Sequence, residues 1–258
     1  MQRKVDETCV ILENEVVGPR LALMKLESAS IASAIEPGQF VHVQLPGMEG
    51  HILRRPFSVY DASEGRMDIL YQSVGFGTDH MMDLVAGQSV QVMGPIGNGW
   101  VVPGICDRAL AVAGGVGAAP LYMHVAKMVH AGITVDVVLG AQTKDALVTY
   151  DKYRNLLGRN PLVATDDGTF GEEGFCTGPT ASLLQEYSYD HIVCCGPEAL
   201  MRIVAGMAAE AECECQVSME RRMACGIGAC LSCVVDTKDG KKRSCVDGPV
   251  FEASEVMW

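Results

Sequence analysis

Four cysteines near the C-terminus have the spacing of a metal centre. They follow the pattern C-x4-C-x2-C-x11-C and are Cys225, Cys230, Cys233 and Cys245. The first three match the loop spacing that holds an iron–sulfur cluster, with a fourth thiolate arriving from further along the chain. Four thiolates also make a closed zinc site, but such sites usually pair two short C-x2–4-C elements. The spacing therefore favours a cluster over zinc, while Cys213 and Cys215 lie near enough in sequence to be alternative ligands.

A glycine-rich turn lies near the middle of the chain, directly after an apolar stretch. It has the sequence G-G-V-G-A-A-P and includes Gly114, Gly115, Gly117 and Pro120. Glycine allows the backbone to approach a pyrophosphate, and the helix that follows offers free N–H groups at its start. Pro120 suits the first turn of that helix, although it replaces the third glycine of the usual dinucleotide fingerprint. The turn favours nucleotide binding, but a tight strand-to-helix turn alone would also use these glycines.

A second glycine turn follows a later apolar stretch, residues 191–195. It consists of Cys195, Gly196 and Pro197. Ligands of parallel sheets bind outside the carboxyl ends of the strands. Two glycine-bearing strand ends at one edge of a sheet together predict a nucleotide cleft.

Two motifs in the N-terminal part offer contacts for an anionic, aromatic ligand. Arg55, Pro56, Phe57 and Ser58 combine a cation, a flat ring and a hydroxyl, and an arginine can bind phosphate bidentately. The sequence G-F-G-T at residues 75–78 follows a predicted strand and offers a second diphosphate cradle. Taken alone, the first motif rather indicates an ordinary surface arginine pair with a core phenylalanine, and the second is only a weak signal.

The pattern of apolar residues predicts three regions that position these motifs. Residues 1–103 form short alternating strands separated by glycine and proline, which is typical of an antiparallel β-barrel. In residues 104–212, apolar strands alternate with helices, which predicts a parallel α/β sheet. Four residues of its last helix are expected to face inward: Leu200, Ile203, Val204 and Met207. Residues 213–258 form a small cysteine-bearing domain.

Composition narrows the class of protein. The net charge of −12 over 258 residues argues against a nucleic-acid surface. The eleven cysteines are an odd number, and the N-terminus lacks the apolar core of a secretory signal, so we expect a reducing, cytoplasmic compartment. Residues 109–126 carry no formal charge, but the glycines and proline at their centre indicate a strand, turn and helix rather than a membrane span.

In this order, the motifs R-x-F-S, G-G-x-G-x-x-P and C-G-P resemble those of the ferredoxin–NADP reductase superfamily. The segment E-R-R-M-A-C-G-I-G-A-C at 220–230, with G-P-I-G-N-G at 94–99 and T-D-D-G at 165–168, closely resembles the electron-transfer subunits of dihydroorotate dehydrogenase B. The resemblance covers essentially the whole chain. It implies an FAD-binding barrel, an NAD-binding α/β domain and a C-terminal 2Fe-2S domain.

The resemblance also implies which residues hold each group. FAD would lie on Arg55, Pro56, Phe57, Ser58, Leu70, Tyr71, Gln72, Gly77 and Thr78. NAD(H) would lie on Gly114, Gly115, Gly117, Pro120, Cys195, Gly196 and Pro197, and the 2Fe-2S cluster on Cys225, Cys230, Cys233 and Cys245. In this family Arg55 would bind the FAD diphosphate and Ser58 would lie near flavin N5. Gln72 stands where the family often has a basic residue, and Ala113 where a glycine is frequent.

The implied function is an electron relay in de novo pyrimidine biosynthesis. Dihydroorotate is oxidised on FMN in a separate catalytic subunit, and the electrons pass through the cluster and FAD to NAD+. The family resemblance implies a heterotetramer with two copies of each subunit. No general acid or base is needed on this chain, and no clear acidic residue for the ribose separates NAD from NADP.

Two other functions are consistent with the same motifs. One is an NAD(P)H-linked FAD/2Fe-2S subunit of a hydrogenase, sulfide reductase or bifurcating complex. The other is a zinc-stabilised nucleotide-binding regulator without redox activity, which would be colourless.

Overall fold

A computed structural model of the protein describes residues 4–48 and 50–258. Seven strands form the N-terminal part: β1 (Val5–Gly18), β2 (Leu21–Glu27), β3 (Phe40–Gln44), β4 (Arg55–Ser58), β5 (Asp61–Ser63), β6 (Arg66–Gln72) and β7 (Ser89–Ile96). They make one antiparallel sheet in the order β4-β3-β7-β1-β2-β6-β5. Two short helices, α1 (Ile31–Ala34) and α2 (Phe76–Met82), lie in its connections.

Alternating apolar side chains build the core of this sheet. Met24 on β2 pairs with Ile69 on β6, and both are fully buried. The register of β1 against β2 shifts twice, after Ile11 and after Val16, and such bulges bend a strand and increase its twist. The predicted antiparallel, barrel-like architecture is thereby confirmed as a curled seven-stranded sheet.

The following part is an α/β unit. Its strands are β8 (Arg108–Gly114), β9 (Thr134–Ala141), β10 (Leu162–Thr165), β11 (Glu172–Glu173), β12 (His191–Cys195) and β13 (Cys215–Ser218), and its helices are α3 (Ala118–His130), α4 (Tyr150–Leu157), α5 (Thr177–Glu186) and α6 (Glu198–Glu210). These strands pair in parallel in the order β11-β10-β9-β8-β12-β13. The predicted parallel sheet is confirmed, and its carboxyl ends form one edge where ligands bind in such folds.

The inward face of α6 differs in part from the prediction, since Leu200 and Met207 are only half-buried and Leu200 packs against the core. Val204 is fully buried, as expected, but the prediction for Ile203 is wrong because its side chain is 48% exposed. Met201 and Ala208 complete the buried stripe instead. Ile203 lines a cavity described below. Its helical spacing predicted a core position, but the side chain faces a cleft instead.

The cysteine-bearing segment begins and ends in the α/β sheet. The final strand, β16 (Val250–Glu252), pairs antiparallel with β13. Between them lies a two-stranded hairpin of β14 (Val234–Thr237) and β15 (Gly240–Arg243). The parallel sheet therefore extends past residue 212, and the cysteines lie in a segment that leaves the sheet after β13 and returns to it at β16.

Side-chain contacts join the curled sheet to the α/β unit. Lys152 on α4 forms an ion pair with Asp61 on β5, with 2.7 Å between Nζ and Oδ2. Trp100, between the two sheets, donates its Nε1–H to the Pro120 carbonyl at 2.9 Å. Tyr60 packs edge-on against Tyr122, with ring centroids 5.3 Å apart. These contacts hold the barrel face opposite the start of α3, where a cleft opens.

The uncharged stretch at residues 109–126 forms β8, a 3-10 turn at Gly115–Gly117 and the beginning of α3. This is the predicted strand, turn and helix. Within residues 4–48 and 50–258, no helix combines the length and apolar character needed to cross a membrane.

Candidate functional site

The hairpin of β14 and β15 brings two of the four predicted cysteine ligands together. Val234 pairs with Arg243 at the open end of the hairpin, so Cys233 just before it and Cys245 just after it lie side by side. Their Sγ atoms are 3.4 Å apart, and both side chains are buried. Phe40 and Ile96 of the curled sheet cover this pair. The hairpin thus places two thiols behind an apolar wall.

Cys225 and Cys230 form a second, more exposed pair. The backbone N–H groups of Ile227 and Cys230 donate to the Cys225 Sγ, each at 3.4 Å. Gly226 and Gly228 adopt φ angles of +67° and +85°, a region that glycine enters without steric cost. The loop therefore already wraps the Cys225 sulfur with amide donors, as a loop around cluster sulfurs must do.

The thiols differ in acidity. Hydrogen bonds, first from Ser232 and then from Cys225, lower the pKa of Cys230 to about 6. Burial raises the pKa of Cys245 to about 12. Metal ligands must be thiolates, so binding of iron would release the proton held by Cys245. In the part of the chain that the structure describes, no group of three His, Cys, Asp or Glu side chains is close enough together to hold a metal ion.

The alternative ligands Cys213 and Cys215 lie elsewhere. Cys213 precedes β13 and is close to Asp190 and Cys106, at the end of the strand opposite the cysteine loop. Cys215 is buried in the hydrophobic core of the α/β unit. The structure does not bring either thiol to the loop.

A first cavity of about 520 Å³ lies between the curled sheet and the segment after β13. Eight of the nine residues predicted for FAD line it: Arg55, Pro56, Phe57, Ser58, Leu70, Tyr71, Gln72 and Thr78. The ninth, Gly77, packs against Arg55, because a Cβ at this glycine would stand 2.5 Å from the Arg55 Nε. The far wall was not predicted and comprises residues 218–223 and Pro249.

Arg55 is held by backbone groups alone. Its Nη1 donates to the carbonyls of His51 and Leu53, and no carboxylate pairs with it among the described residues. The adjacent Arg54 is different, because it forms a bidentate ion pair with Asp6. Arg55 is thus a fixed cation whose charge is available to an anionic ligand.

A second cavity, of about 730 Å³, lies at the carboxyl ends of β8, β9, β10 and β12. The predicted Gly114, Gly115, Gly117, Gly196 and Pro197 all line it. A Cβ at Gly117 would stand 2.5 Å from the Cys195 carbonyl oxygen, so only glycine permits the two strand ends to meet here. Backbone groups therefore form the floor of this cavity.

Two residues predicted for the same ligand lie beside this cavity instead. Pro120 lines the first cavity. Cys195 is 2% exposed, and its thiol lies 3.9 Å from the Ser218 carbonyl. Burial raises the pKa of Cys195, so it is a neutral thiol behind the glycine turn.

Several lining residues of the second cavity were not predicted to contact a ligand, although Asp166 belongs to the T-D-D-G motif at residues 165–168. Asp166 follows β10, and its carboxylate has no hydrogen-bond or ion-pair partner in the described structure, whereas Asp167 accepts hydrogen bonds from the Thr169 N–H and hydroxyl. Phe175 is 74% exposed at the cavity rim, where Ile203 also lies. The rule that ligands bind at strand ends could have drawn attention to Asp166; no local pattern marks Phe175.

The two cavities adjoin. Four residues line both: Gln72, Val116, Glu220 and Arg221. Arg221 pairs with Glu198 at the start of α6, with 3.1 Å between Nη1 and Oε2. Cys225 follows only a few residues later, so the wall shared by the cavities leads directly into the cysteine loop.

Comparison with known proteins gives one family. The model of the iron–sulfur cluster binding domain of dihydroorotate dehydrogenase B matches residues 220–257. The protein named "Dihydroorotate dehydrogenase B (NAD(+)), electron transfer subunit" from Clostridium acetobutylicum is 37% identical over 224 residues, which are 86% of this chain and 87% of that protein. The protein of the same name from Fusobacterium nucleatum is 34% identical over 258 residues, which are 97% and 98% of the two chains.

Solved structures agree with this fold. A chain of an NADH-dependent reduced ferredoxin-NADP oxidoreductase, studied for flavin-based electron bifurcation, has a TM-score of 0.88 and 31% identity over 97% of this chain and 90% of that one. A ferredoxin NADP+ reductase from Neisseria gonorrhoeae has a TM-score of 0.68 at 14% identity, covering 85% and 95% of the two chains. The second likeness shows the fold alone.

Proposed function

Because the chain belongs to the family of dihydroorotate dehydrogenase B electron transfer subunits, we propose that it links dihydroorotate oxidation on a partner subunit to NAD+. Its cofactors are a 2Fe-2S cluster, FAD and NAD(H). When bound, they supply the redox chemistry, which converts single-electron transfer at the cluster into hydride exchange between flavin and nicotinamide. The protein's contribution is to hold the three groups in sequence.

The observation that carries this proposal is the continuity of the three sites. Glu220 and Arg221 line both cavities and begin the segment that contains all four cysteines. One stretch of chain therefore touches the flavin site, the nicotinamide site and the cluster site. Such an arrangement suits groups that exchange electrons with their neighbours.

The cluster would be held by two pairs of thiolates. Cys233 and Cys245 form the buried pair, and Cys225 and Cys230 form the pair nearer solvent. A 2Fe-2S cluster takes two protein ligands on each of its irons, so one pair would serve each iron. The buried side faces the curled sheet, and the exposed side faces outward.

FAD would occupy the cavity beside β4 and β6. The unpaired guanidinium of Arg55 would bind the diphosphate, since a fixed arginine gives charge-assisted hydrogen bonds to phosphate oxygens. Ser58 at the end of β4 would face the isoalloxazine ring. Pro120 and Val116 from the α/β unit close the cavity toward the second site.

NAD(H) would occupy the second cavity, with its pyrophosphate on the glycine turns. The exposed side chains of Phe175 and Ile203 would contact the adenine, since the flat ring of Phe175 can stack on it in the offset arrangement that aromatic rings prefer. The unpaired Asp166 carboxylate would accept hydrogen bonds from the ribose diol and repel the extra phosphate of NADP. This arrangement favours NAD over NADP.

The partner would be the FMN-containing catalytic subunit, in an assembly with two copies of each chain. The exposed side of the cluster loop fits such docking. Ile227 and Leu231 are 56% and 62% exposed and flank Cys230, and exposed apolar patches are typical of surfaces that bind another protein. Docking here would bring the partner's flavin toward the cluster.

An anaerobic visible spectrum tests the proposal. The complex is purified through a tag on this chain, and its flavin and cluster bands are recorded before and after dihydroorotate, then after NAD+. We expect dihydroorotate to bleach both bands and NAD+ to restore them. A protein without flavin or iron would contradict the assignment of cofactors.

A second candidate function is favoured by one specific observation, the TM-score of 0.88 to the bifurcating oxidoreductase chain. In that case the module is the same and the partner differs. NADH would then bleach the flavin and cluster bands while dihydroorotate leaves them unchanged, so the same experiment separates the two.

A further inference from the structure

His42 is a buried histidine on the face of β3 that the cysteine loop covers. Val41 and Val43 point into the core of the curled sheet, and the alternation of the strand turns Phe40 and His42 to the opposite face. The side chain of His42 is 0% exposed, and neither ring nitrogen has a hydrogen-bond partner among the described residues. Buried polar groups of native proteins are nearly always hydrogen-bonded, so a partner for this imidazole is expected.

The imidazole lies directly behind the first limb of the cysteine loop. A Cβ at Gly226 would stand 2.8 Å from the His42 Nδ1, and this glycine follows Cys225. Met93 and Ile96 pack against the same glycine, and Lys4 ties the loop to the sheet by donating to the Gly226 carbonyl at 3.3 Å. Nδ1 is therefore a polar atom in an otherwise apolar wall that faces the loop.

The ring is neutral at physiological pH. Burial first, and then the Arg54 guanidinium, lower the pKa of His42 to about 4, and a backbone contact with Arg54 partly opposes this shift. A neutral imidazole carries one N–H donor and one acceptor nitrogen. The loop side of His42 can thus supply a hydrogen bond without bringing a positive charge into the core.

We propose that the His42 Nδ1–H donates a hydrogen bond to sulfur on the Cys225 side of the cluster and thereby raises the cluster's reduction potential. The inference rests on the proposed 2Fe-2S site. A reduced cluster carries one more negative charge than the oxidised cluster, and hydrogen bonds to cluster sulfurs are among the factors that set its potential. His42 is a positioning residue, because it acts through the cluster and exchanges no proton or electron itself.

The test measures the cluster's reduction potential by EPR-monitored titration of the complete protein loaded with FAD and cluster. His42→Phe removes the donor and keeps a ring, His42→Gln restores an N–H donor, and His124→Phe is the matched control. His124 is also buried, and its ring nitrogens also have no hydrogen-bond partner among the described residues, but it lies on α3 and stacks on Trp100. We expect His42→Phe to lower the ratio of reduced to oxidised cluster about tenfold at a fixed potential, which is ~59 mV for a one-electron couple. His42→Gln should restore most of the lost reduction potential, and His124→Phe should leave the potential of the cluster unchanged.

An unchanged potential in His42→Phe with full iron content overturns the inference, as does an equal shift in His124→Phe. If His42→Phe does not fold, wild-type protein labelled with ¹⁵N-histidine tests the hydrogen bond directly. Pulsed EPR of its reduced cluster should show a weak ¹⁵N coupling that His42→Gln lacks, and absence of the coupling overturns the inference. Wild-type protein that binds zinc or no metal overturns the proposed function itself, which is a distinct result.

Discussion

On the proposed assignment, the cysteine loop and the two nucleotide cavities would bind their groups by different physical means. In the loop, four cysteine side chains within residues 225–245 would supply the bonds to the cluster, and a local hairpin brings two of their sulfur atoms to 3.4 Å. In the cavities, the walls are formed by backbone turns and by side chains from several strands, several helices and the segment after β13, and no single residue completes them. Loss of one cysteine ligand should therefore abolish binding of the cluster. Loss of one contact in a cavity should only reduce the affinity for its nucleotide.

The sharpest test of this difference is Cys230→Ser. We expect loss of the cluster and a fall in electron transfer to the partner of more than about 100-fold, since even residues around a metal site cost up to that much in metal affinity. FAD should remain bound, because Cys230 lies outside the first cavity. Iron content and the visible spectrum are the measurements.

Cys213→Ser is the matched control, since Cys213 belongs to the opposite end of β13. It should keep its iron. Loss of flavin in proportion to iron in Cys230→Ser would show that loop and cavity do not behave independently.

The contrast also explains what the sequence could reveal. A cysteine pattern is local, so Cys225, Cys230, Cys233 and Cys245 could be predicted as cluster ligands without knowledge of the fold. The glycine turns could be predicted too, because two backbone segments that approach closely require glycine at the point of contact, as at Gly117. Alternating apolar and polar residues predicted the curled sheet, and continuous apolar strands separated by helices predicted the parallel sheet.

The walls opposite those turns were not predictable in the same way. Glu220 and Arg221 resemble any surface charges in sequence, yet the return of the chain after β13 places them between two cavities. Ile203 has the spacing of a core residue, and only the position of α6 beside the cleft turns it toward a ligand site. Sites assembled by tertiary contacts leave no local spacing to detect.

Arg55→Ala tests the charged contact of the first cavity. A hydrogen bond to a charged group contributes about 1.5–3 kcal/mol, so FAD binding should weaken roughly 10- to 150-fold. Arg54→Ala is the control, because Arg54 is occupied by Asp6 and should leave FAD affinity unchanged. Titration of flavin-free protein with FAD, followed by fluorescence, gives both constants. Equal losses in the two variants would mean that general positive charge, rather than the position of Arg55, binds the diphosphate.

Gly117→Ala tests the backbone floor of the second cavity. The new Cβ would meet the Cys195 carbonyl oxygen at 2.5 Å and the Gly196 nitrogen at 2.7 Å. Overpacking of this kind costs about 1–3 kcal/mol, and a displaced turn should weaken NADH binding by roughly 5- to 150-fold. Denaturant unfolding and NADH titration measure the two effects.

Gly206→Ala is the control for that change. Gly206 lies within α6 with open space around its Cβ position, so alanine should stabilise the protein by about 0.5–1 kcal/mol and leave NADH binding intact. A Gly117→Ala protein with normal NADH affinity would place the dinucleotide away from this turn.

Asp166→Asn should give the smallest effect, because it changes one contact at a rim open to water. The carboxylate has no partner of its own, so neutralising it removes repulsion toward a 2′-phosphate and one acceptor for the ribose diol. A net hydrogen bond contributes about 0.5–1.5 kcal/mol, which predicts a shift in the ratio of NADH to NADPH affinity of roughly 2- to 12-fold toward NADPH. Asp167→Asn should leave the ratio unchanged, since Asp167 is engaged by Thr169. The binding constants of NADH and NADPH for both variants test this prediction. If Asp167→Asn changed the ratio of NADH to NADPH affinity and Asp166→Asn did not, the ribose contact would belong to Asp167. The adenosine would then lie on the other side of the turn.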